Sequence, residues 1–308
     1  MLGPTACGKS GFALHLADRL PFEIISMDSA QVYRGLDIGT AKPDAVERAR
    51  ATHHLLDIAE PHEAYSAGRF RRDALMAMDA IAGRACAPLV VGGTNLYFRA
   101  LRDGLAPLPT ADPAVRACLD ACGDTHGWPR LHAWLAAVDA PAAARIRPHD
   151  RQRLQRALEV FALTGQPLSR QQARRPQPLD WTLLVIALVP QDRDALRIRI
   201  RERFELMMER GLLDEVHSLT RRTGPGVDLP ALRAVGYRQL ARHIAGELTL
   251  EAAVEAAVAA TRRLAKRQLT WLRSEVVDLV VDPFDGDALR QCEQAVERFL
   301  AAGEAGPL

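Results

Sequence analysis

The sequence has few lysines and no long apolar run. Only three of its 40 basic residues are lysines, Lys9, Lys42 and Lys266, so arginine is used elsewhere and each lysine invites a local explanation. No stretch approaches the roughly 18 uninterrupted apolar residues of a membrane-spanning helix. The N-terminus also lacks a basic segment followed by an apolar run, so secretion has no support. We therefore expect a cytoplasmic protein that is not associated with a membrane.

Cysteine and net charge are also low. The five cysteines are an odd number at scattered positions, which argues against a disulfide framework, so we expect five free thiols. Cys118 and Cys122 lack the second pair of ligands of a structural zinc site, and the nine histidines show no metal-binding spacing. The net charge of +2 predicts no overall basic field for nucleic acid. With 48% apolar residues, the 308-residue chain can form one large globular domain or two smaller ones.

A phosphate-binding loop stands at the start of the chain. It matches the pattern G-x-x-x-x-G-K-[ST] and runs into an apolar-faced helix; its residues are Gly3, Pro4, Thr5, Ala6, Cys7, Gly8, Lys9 and Ser10. In such loops backbone N–H groups surround a phosphate, the lysine contacts further phosphate oxygens, and the serine hydroxyl can ligate Mg²⁺. Only Met1 and Leu2 precede the loop, where a buried strand is usual. We expect either a natural start further upstream or a sheet that lacks this strand.

Short apolar runs alternate with helical patterns, which predicts a parallel sheet covered by helices. The predicted strands are Phe22–Met27, Leu55–Ile58, Leu89–Val91 and Leu183–Val189, with a helix over 67–84 between the second and third. Ligands of such sheets gather at the carboxyl ends of the strands. This rule singles out Asp28–Gln31 and Gly92–Asn95.

The pattern changes between Thr110 and Pro178. Strand signals disappear there and the sequence becomes rich in alanine, arginine and proline, which predicts a helical insertion into an α/β core. We therefore divide the chain into a first core part (1–110), the insertion (111–178) and a second core part (179–308). The second part is predicted to hold one helix from Asp192 to Gly211 and a long one from Thr249 to Arg273.

Asp28 is the first candidate for chemistry. A carboxylate at the end of a strand, facing a phosphate loop, can act as a general base or hold Mg²⁺ through water, but it can equally be a helix N-cap or a turn residue. Thr94 offers a hydroxyl at the same carboxyl edge of the predicted sheet, although Gly-Gly-Thr after a strand can be a simple tight turn. Arg199 and Arg203 are four residues apart and can close together on a diphosphate, or be solvated.

Two segments outside the phosphate loop are rich in basic residues. The stretch 145–156 holds five arginines against one aspartate, and 262–273 holds five basic residues and no acid. They are interpreted either as two walls of a phosphodiester channel or as solvated helix faces.

Seven segments, in order and spanning nearly the whole chain, resemble the tRNA dimethylallyltransferase family, P-loop enzymes that place an isopentenyl-type group on a tRNA adenine. They are Gly3–Ser10, Asp28–Tyr33, Asp37–Pro43, Val91–Tyr97, Gln152–Glu159, Val235–Gln239 and Ala265–Arg273. The phosphate loop is shared with many nucleotide enzymes. Asp-Ser-x-Gln-x-Tyr followed by Asp-Ile-Gly-Thr-Ala-Lys-Pro is close to diagnostic, and all three lysines fall within the seven segments.

The resemblance implies an α/β fold with a P-loop kinase-like parallel sheet flanked by helices and an inserted helical subdomain. It implies that Gly3–Ser10 bind the diphosphate of dimethylallyl diphosphate, with Mg²⁺ at Ser10, and that Asp28 takes a proton from N6 of adenosine 37 beside the anticodon. Thr94 would contact the bridging oxygen of the leaving diphosphate, and Arg203 would stabilise its charge.

The resemblance also implies a tRNA path, with the target base flipped into a channel. The residues implied are Asp28, Ser29, Ala30, Gln31, Thr94, Arg116, Gln152, Arg153, Leu154, Gln155, Arg156, Arg233, Gly236, Tyr237, Arg238, Lys266, Arg267, Gln268 and Arg273. The expected partners are the tRNA anticodon stem-loop and dimethylallyl diphosphate, with the protein acting as a monomer. The alternatives are a P-loop kinase of a nucleoside or small metabolite, a prenyltransferase of free adenylate and a non-catalytic RNA-binding protein. None of them uses every one of these features.

Overall fold

The computed structural model describes residues 1–173, 179–223 and 229–303. The chain forms two compact units, Met1–Leu101 with Leu179–Leu308, which we call the core unit, and Arg102–Pro178, which we call the helical unit. The expected end of the insertion at residue 178 and the end of the chain at residue 308 lie outside the described residues. Each unit has a hydrophobic core of its own.

The core unit contains a parallel sheet, as the alternation of strands and helices predicts. Its strands are β1 (Phe22–Met27), β2 (His53–His54), β3 (Ala87–Gly92), β4 (Ile186–Leu188) and β5 (Leu279–Val281). They pair in the orders β2-β1-β3 and β4-β5, all parallel. β1 and β3 pair along their whole length, from Phe22 with Ala87 to Met27 with Gly92, so their carboxyl ends meet.

Leu2 lies where the strand before the phosphate loop is expected. It forms parallel bridges to Gly92 on one side and Ala187 on the other. Its N–H donates to the Ile186 carbonyl at 2.8 Å, and its own carbonyl accepts from the Leu188 N–H at 2.8 Å. Leu2 thus joins the two sets of strands, and the phosphate loop that follows it emerges at the carboxyl edge of the sheet.

The second predicted strand is placed wrongly. The residues that pair with β1 are His53 and His54, and the predicted run Leu55–Ile58 is not a strand. Leu55 and Asp57 have φ of 61° and 56°, a left-handed backbone that a strand cannot contain. The turn they make brings the Ile58 N–H to the Val32 carbonyl at 2.9 Å. The apolar run therefore reflects the burial of a turn.

Helices cover the sheet of the core unit. They are α1 (Lys9–Arg19), α2 (Ala45–Arg50), α3 (Ala67–Ala82), α4 (Asn95–Asp103, whose last two residues belong to the helical unit), α10 (Arg193–Glu209), α11 (Leu212–Thr223), α12 (Tyr237–Ile244), α13 (Leu250–Leu272) and α14 (Ala288–Ala301). The predicted helices over 67–84, 192–211 and 249–273 correspond to α3, α10 and α13. α10 buries Leu196, Ile200, Phe204 and Met207 and is followed by Gly211 with φ of 94°.

The helical unit contains α5 (Pro113–His126), α6 (Trp128–Val138), α7 (Ala140–Arg145), α8 (Arg151–Thr164) and α9 (Leu168–Gln172), together with the end of α4. Asp112, Asp139 and Asp150 cap α5, α7 and α8 through their side chains. Its core is formed by Trp128, Leu131, Leu135, Leu154 and Leu158 with their neighbours. No described helix of either unit is long and apolar enough to cross a membrane.

Candidate active site

The phosphate loop curls at the carboxyl edge of the sheet and opens α1. Gly8 is its N-cap residue with φ of 92°, a conformation that favours glycine, and Ala6 is also left-handed with φ of 64°. The Lys9 ammonium donates to the carbonyls of Gly3 at 2.9 Å and Pro4 at 2.6 Å. A Cβ at Gly3 would come within 2.9 Å of the Leu188 carbonyl oxygen, so the loop needs glycine there. These features leave the N-terminus of α1 facing the cleft as an anion site.

Asp28 and Thr94 come together because β1 and β3 end side by side. The Thr94 hydroxyl oxygen accepts the Ser29 N–H at 3.2 Å, and Asp28 Oδ1 accepts the Ala30 N–H at 2.8 Å. The two side chains predicted to carry chemistry therefore lie at adjacent turns. Thr94 accepts through its oxygen and so retains its own O–H as a donor.

Arg203 brings a positive charge to the same place. A cleft of about 930 Å³ is lined by residues that include Lys9, Ser10, Asp28, Arg199 and Arg203. Burial lowers the pKa of the Arg203 guanidinium, while the negative charge of Asp28 acts in the opposite direction. Arg199, one turn earlier on α10, lies over the Phe284 ring at 4.8 Å. The two arginines predicted to act as a pair thus both reach the cleft.

The loop Asp37–Pro43 forms another part of the cleft wall and is held by side chains from distant segments. Glu215 on α11 accepts the backbone N–H groups of Asp37, Ile38 and Gly39 at 2.9, 2.8 and 3.2 Å. The Tyr237 hydroxyl donates to the same carboxylate at 2.5 Å. A Cβ at Gly39 would lie 2.6 Å from the Tyr237 ring, so the loop packs directly on that ring.

Two further side chains, Gln31 and Lys42, also hold this loop, and both belong to the segments that resemble the family. The Gln31 amide nitrogen donates to the carbonyls of Thr40 and Ala41 at 3.2 and 3.1 Å. The Lys42 ammonium, on a side chain only 2% exposed, donates to the Tyr33 carbonyl and to the carboxylates of Asp37 and Asp57. Lys42 therefore has a structural explanation: a compact ammonium with three donors meets three acceptors. The sequence offered no signal for Glu215, whose contacts are all distant along the chain.

The residues of the implied tRNA path differ in exposure within the core unit. Arg233, Arg238, Lys266, Arg267 and Arg273 are exposed. Tyr237 is fully buried and Gly236 is buried, and the backbone N–H of Gly236 donates to Gln239 Oε1 at 2.9 Å. Gln268 is 8% exposed, and its amide bonds to the phosphate loop and to Gly93. The cationic members of the set thus lie at the surface, whereas these buried members bond within the protein or pack inside it.

In the helical unit two of the implied residues, Arg116 and Arg156, bind a buried carboxylate. Glu159 is fully buried and accepts from Arg116 Nε at 2.8 Å and from Arg156 Nη1 at 2.7 Å. Burial of Glu159 opposes ionisation, but these arginines hold the pKa of its carboxyl below the usual value. Leu154 is buried in the core of this unit, whereas the remaining implied residues of α8, Gln152 and Arg153, are exposed and Gln155 is half-buried.

The fold and the cleft together are those of a P-loop protein with an anion site at the edge of a parallel sheet. The sequence model of the IPP transferase family matches residues 31–275. The chain therefore belongs to the IPP transferase family. A tRNA dimethylallyltransferase of Thiobacillus denitrificans is 57% identical to it over 302 residues, which cover 98% of this chain and 96% of that protein.

Solved structures agree with this assignment. The full-length tRNA isopentenylpyrophosphate transferase of Bacillus halodurans is 37% identical with a TM-score of 0.68, covering 98% of this chain and 94% of that one. A eukaryotic dimethylallyltransferase acting on tRNA shares the fold with a TM-score of 0.80 at 24% identity, covering 98% of this chain and 79% of the other. The α/β fold expected from the sequence is confirmed.

Proposed function

We propose that this protein transfers the dimethylallyl group of dimethylallyl diphosphate to N6 of adenosine 37 in the tRNA anticodon loop and releases diphosphate. One observation carries the proposal: a single cleft collects the phosphate loop, Asp28 and Arg203 in a chain that matches tRNA dimethylallyltransferases over nearly its whole length. Because its substrate would be tRNA, we propose a cytoplasmic location, and we propose that it acts as a monomer.

The chemistry assigns each side chain a part. The C–O bond to the diphosphate breaks with its electron pair on the bridging oxygen, and the N6 lone pair forms the new C–N bond. Negative charge then grows on the diphosphate, where Lys9, the loop N–H groups and Arg203 stabilise it. The Thr94 hydroxyl donates to the bridging oxygen. The proton that N6 loses passes to the Asp28 carboxylate, which the Ala30 N–H keeps in place.

The oxygen groups at the cleft fit Mg²⁺. This ion prefers oxygen ligands, keeps several waters and binds through one or two protein groups together with substrate phosphates. The Ser10 hydroxyl, exposed at the first turn of α1, lines the cleft and supplies such a group. In the described part of the chain, no three His, Cys, Asp or Glu side chains form a metal-binding group. When bound, the ion would neutralise charge on the diphosphate.

The tRNA would be held mainly through its phosphates. The exposed arginines and lysine of the implied path, Arg233, Arg238, Lys266, Arg267 and Arg273, offer charges suited to that task. Arg153 of the helical unit is exposed as well. The half-buried Arg116 and Arg156 are paired with Glu159, so we propose that they shape the RNA-binding surface of α8 in addition to contacting RNA.

Nucleoside analysis tests the proposed function. Unmodified tRNA is incubated with the protein, Mg²⁺ and dimethylallyl diphosphate, then digested and analysed by mass spectrometry. We expect N6-dimethylallyladenosine at position 37, and none from a matched tRNA with guanosine at that position. If adenosine stays unmodified while ATP phosphorylates a nucleoside or small metabolite, the protein is a P-loop kinase. If free AMP is prenylated and tRNA is not, it is an adenylate prenyltransferase.

A further inference from the structure

Gln268 lies on the basic end of α13 but turns away from the surface. Its neighbours Lys266 and Arg267 are exposed, whereas Gln268 is 8% exposed. Its Oε1 accepts the backbone N–H of Thr5 in the phosphate loop at 2.9 Å. Its Nε2 donates to the carbonyl of Gly93, after β3, at 2.9 Å. One amide therefore bridges the phosphate loop and the turn that carries Thr94.

The two partners fix the orientation of this amide. A backbone N–H can only donate and a carbonyl can only accept, so Oε1 must face Thr5 and Nε2 must face Gly93. The fit is also tight, because a Cβ at Gly93 would lie 2.4 Å from Gln268 Nε2 and 2.8 Å from the Gly3 carbonyl oxygen. A glutamine side chain supplies this donor and this acceptor at every pH, because its amide does not ionise.

The sheet joins these two segments only where they begin. Leu2, which precedes the phosphate loop, forms a bridge to Gly92, and the Met1 carbonyl accepts the Gly92 N–H at 3.2 Å. Further along both segments, the Gln268 amide links Thr5 of the loop to Gly93 of the turn. Since the loop supplies the diphosphate N–H groups and the turn supplies Thr94, their spacing sets how the leaving group meets its donors.

We propose that Gln268 is a positioning residue of the diphosphate site, which holds the phosphate loop at a fixed distance from the Thr94 turn, and is not a contact to RNA. The proposal rests on the proposed function, because it concerns the site of the leaving diphosphate. It separates two roles on one turn of α13: Lys266 and Arg267 face outward, and Gln268 faces the reaction.

The first test compares Gln268→Met with Lys266→Gln/Arg267→Gln. Met keeps the length of the side chain and removes both hydrogen bonds, and the double variant is the matched control on the exposed face. Inorganic diphosphate affinity is measured by calorimetry, tRNA affinity by filter binding at several salt concentrations, and kcat and KM for dimethylallyl diphosphate at saturating tRNA.

We expect Gln268→Met to weaken diphosphate binding or lower kcat/KM for dimethylallyl diphosphate by about tenfold, as two hydrogen bonds of modest net value predict. Its tRNA affinity and salt slope should stay within about twofold of the wild type. In the double variant, tRNA affinity and the salt slope should fall, and diphosphate binding should stay within about twofold of the wild type. Weakened tRNA binding with unchanged diphosphate binding in Gln268→Met would overturn the proposal, and so would the absence of any change in the three measurements.

A second variant keeps the proposal testable if Gln268→Met folds poorly. In Gln268→Glu the ionised carboxylate can still accept from Thr5 but repels the Gly93 carbonyl and the diphosphate, whereas the neutral acid can donate as the amide does. The ratio of variant to wild-type diphosphate affinity should therefore rise as pH falls from about 8 to about 5. A ratio that does not change with pH would contradict the proposal that Gln268 positions the phosphate loop. Failure of the wild type to prenylate tRNA would instead reject the proposed function, because diphosphate binding is measured separately.

Discussion

Asp28 combines a fixed position with the capacity to change its charge. Its Oδ1 accepts the Ala30 N–H, and the adjacent Ser29 N–H binds Thr94, so both turn residues are held by the backbone. Arg203 lies close enough that the charge of Asp28 affects its pKa. A carboxylate in this setting can take a proton without moving, which is what a general base requires.

We expect Asp28→Ala to lower transfer by about 10²–10⁴-fold while diphosphate binding stays largely intact, because a base acts in the chemical step and is not itself a phosphate ligand. Single-turnover kinetics at saturating substrates, together with calorimetry of diphosphate, would measure both. Asp28→Asn is the matched control for the turn, since it can still accept from Ala30 and should be equally inactive. Full turnover by either variant would remove Asp28 from the mechanism.

The Glu23 carboxylate is expected to make a contribution to the free energy of unfolding that depends on pH. The Arg84 guanidinium, then His54, lower the pKa of this nearly buried carboxyl to about 2 against the opposing effect of burial. The folded pKa lies below the unfolded one, so the stabilisation is present above about pH 4.5 and is lost as pH falls towards 2. Its size is roughly 2–3 kcal/mol, because Arg84 is half-exposed.

Urea unfolding of the wild type and Glu23→Gln would therefore differ by roughly 2–3 kcal/mol at pH 7, and the difference should be about 1 kcal/mol smaller at pH 3.5. Asp287→Asn is the control, because its partner Arg290 forms an exposed i,i+3 pair of small expected value. A difference between wild type and Glu23→Gln that is the same at both pH values would show that the ion pair does not set the stability.

At the scale of elements, helices from the second half of the sequence position loops from the first half. α11 supplies Glu215 and α12 supplies Tyr237 to the loop Asp37–Pro43. α13 supplies Gln268 to the phosphate loop. The cleft wall is therefore built from segments far apart in the chain, and its geometry depends on how these helices pack.

We expect Glu215→Ala to raise KM for dimethylallyl diphosphate and to destabilise the protein by at least about 2 kcal/mol, because it leaves three backbone N–H groups of the loop and the Tyr237 hydroxyl without their acceptor. Tyr237→Phe removes one of these hydrogen bonds and should cost about 1 kcal/mol. Steady-state kinetics and denaturant unfolding measure the two effects. Wild-type values for Glu215→Ala in both would mean that the loop is held by Gln31 and Lys42 alone.

The exposed end of α13 is predicted to contact tRNA phosphates. Lys266→Gln/Arg267→Gln should weaken tRNA binding and reduce the slope of log affinity against log salt by about 1 for each phosphate interaction that the substitutions remove, with little dependence on base sequence. Binding of dimethylallyl diphosphate should not change, because neither side chain is among the residues lining the cleft. Filter binding over a range of salt gives the slope. An unchanged slope would make this helix end a solvated surface.

At the scale of the whole molecule, all residues lining the cleft belong to the core unit. Diphosphate at about 100 times its Kd should stabilise the folded state that binds it by about 2.7 kcal/mol. We expect hydrogen exchange to slow in the phosphate loop, at Asp28 and around Arg203, and to stay unchanged in the helical unit. A matched run with sulfate at equal ionic strength controls for salt. Protection centred on α5–α9 would place the diphosphate elsewhere.

The residues alone were enough to predict the phosphate loop, strands β1 and β3, the carboxylate and hydroxyl that follow them, and the helices α3, α10 and α13. Loop glycines, turn residues and helical periodicity act over a few residues, so local sequence encodes them. Within the implied site, the rule that parallel strands end at one edge grouped Asp28 with Thr94. Lys9 came from the phosphate-loop motif, and Arg203 came from its spacing to Arg199 and from the family resemblance.

The contacts of Glu215, Lys42, Glu159 and Gln268 could not be predicted from local sequence and are seen in the folded chain. Each bonds to groups that distant segments bring to it. The residue type alone does not reveal whether a side chain faces the interior of the protein or the solvent. The observed strand β2 lies at His53–His54 and not at the predicted run Leu55–Ile58. The reason is that Leu55 and Asp57 adopt left-handed backbone conformations, and Asp57 forms an ion pair with Lys42. Chain-distant hydrogen bonds fix such positions, and no local pattern records them.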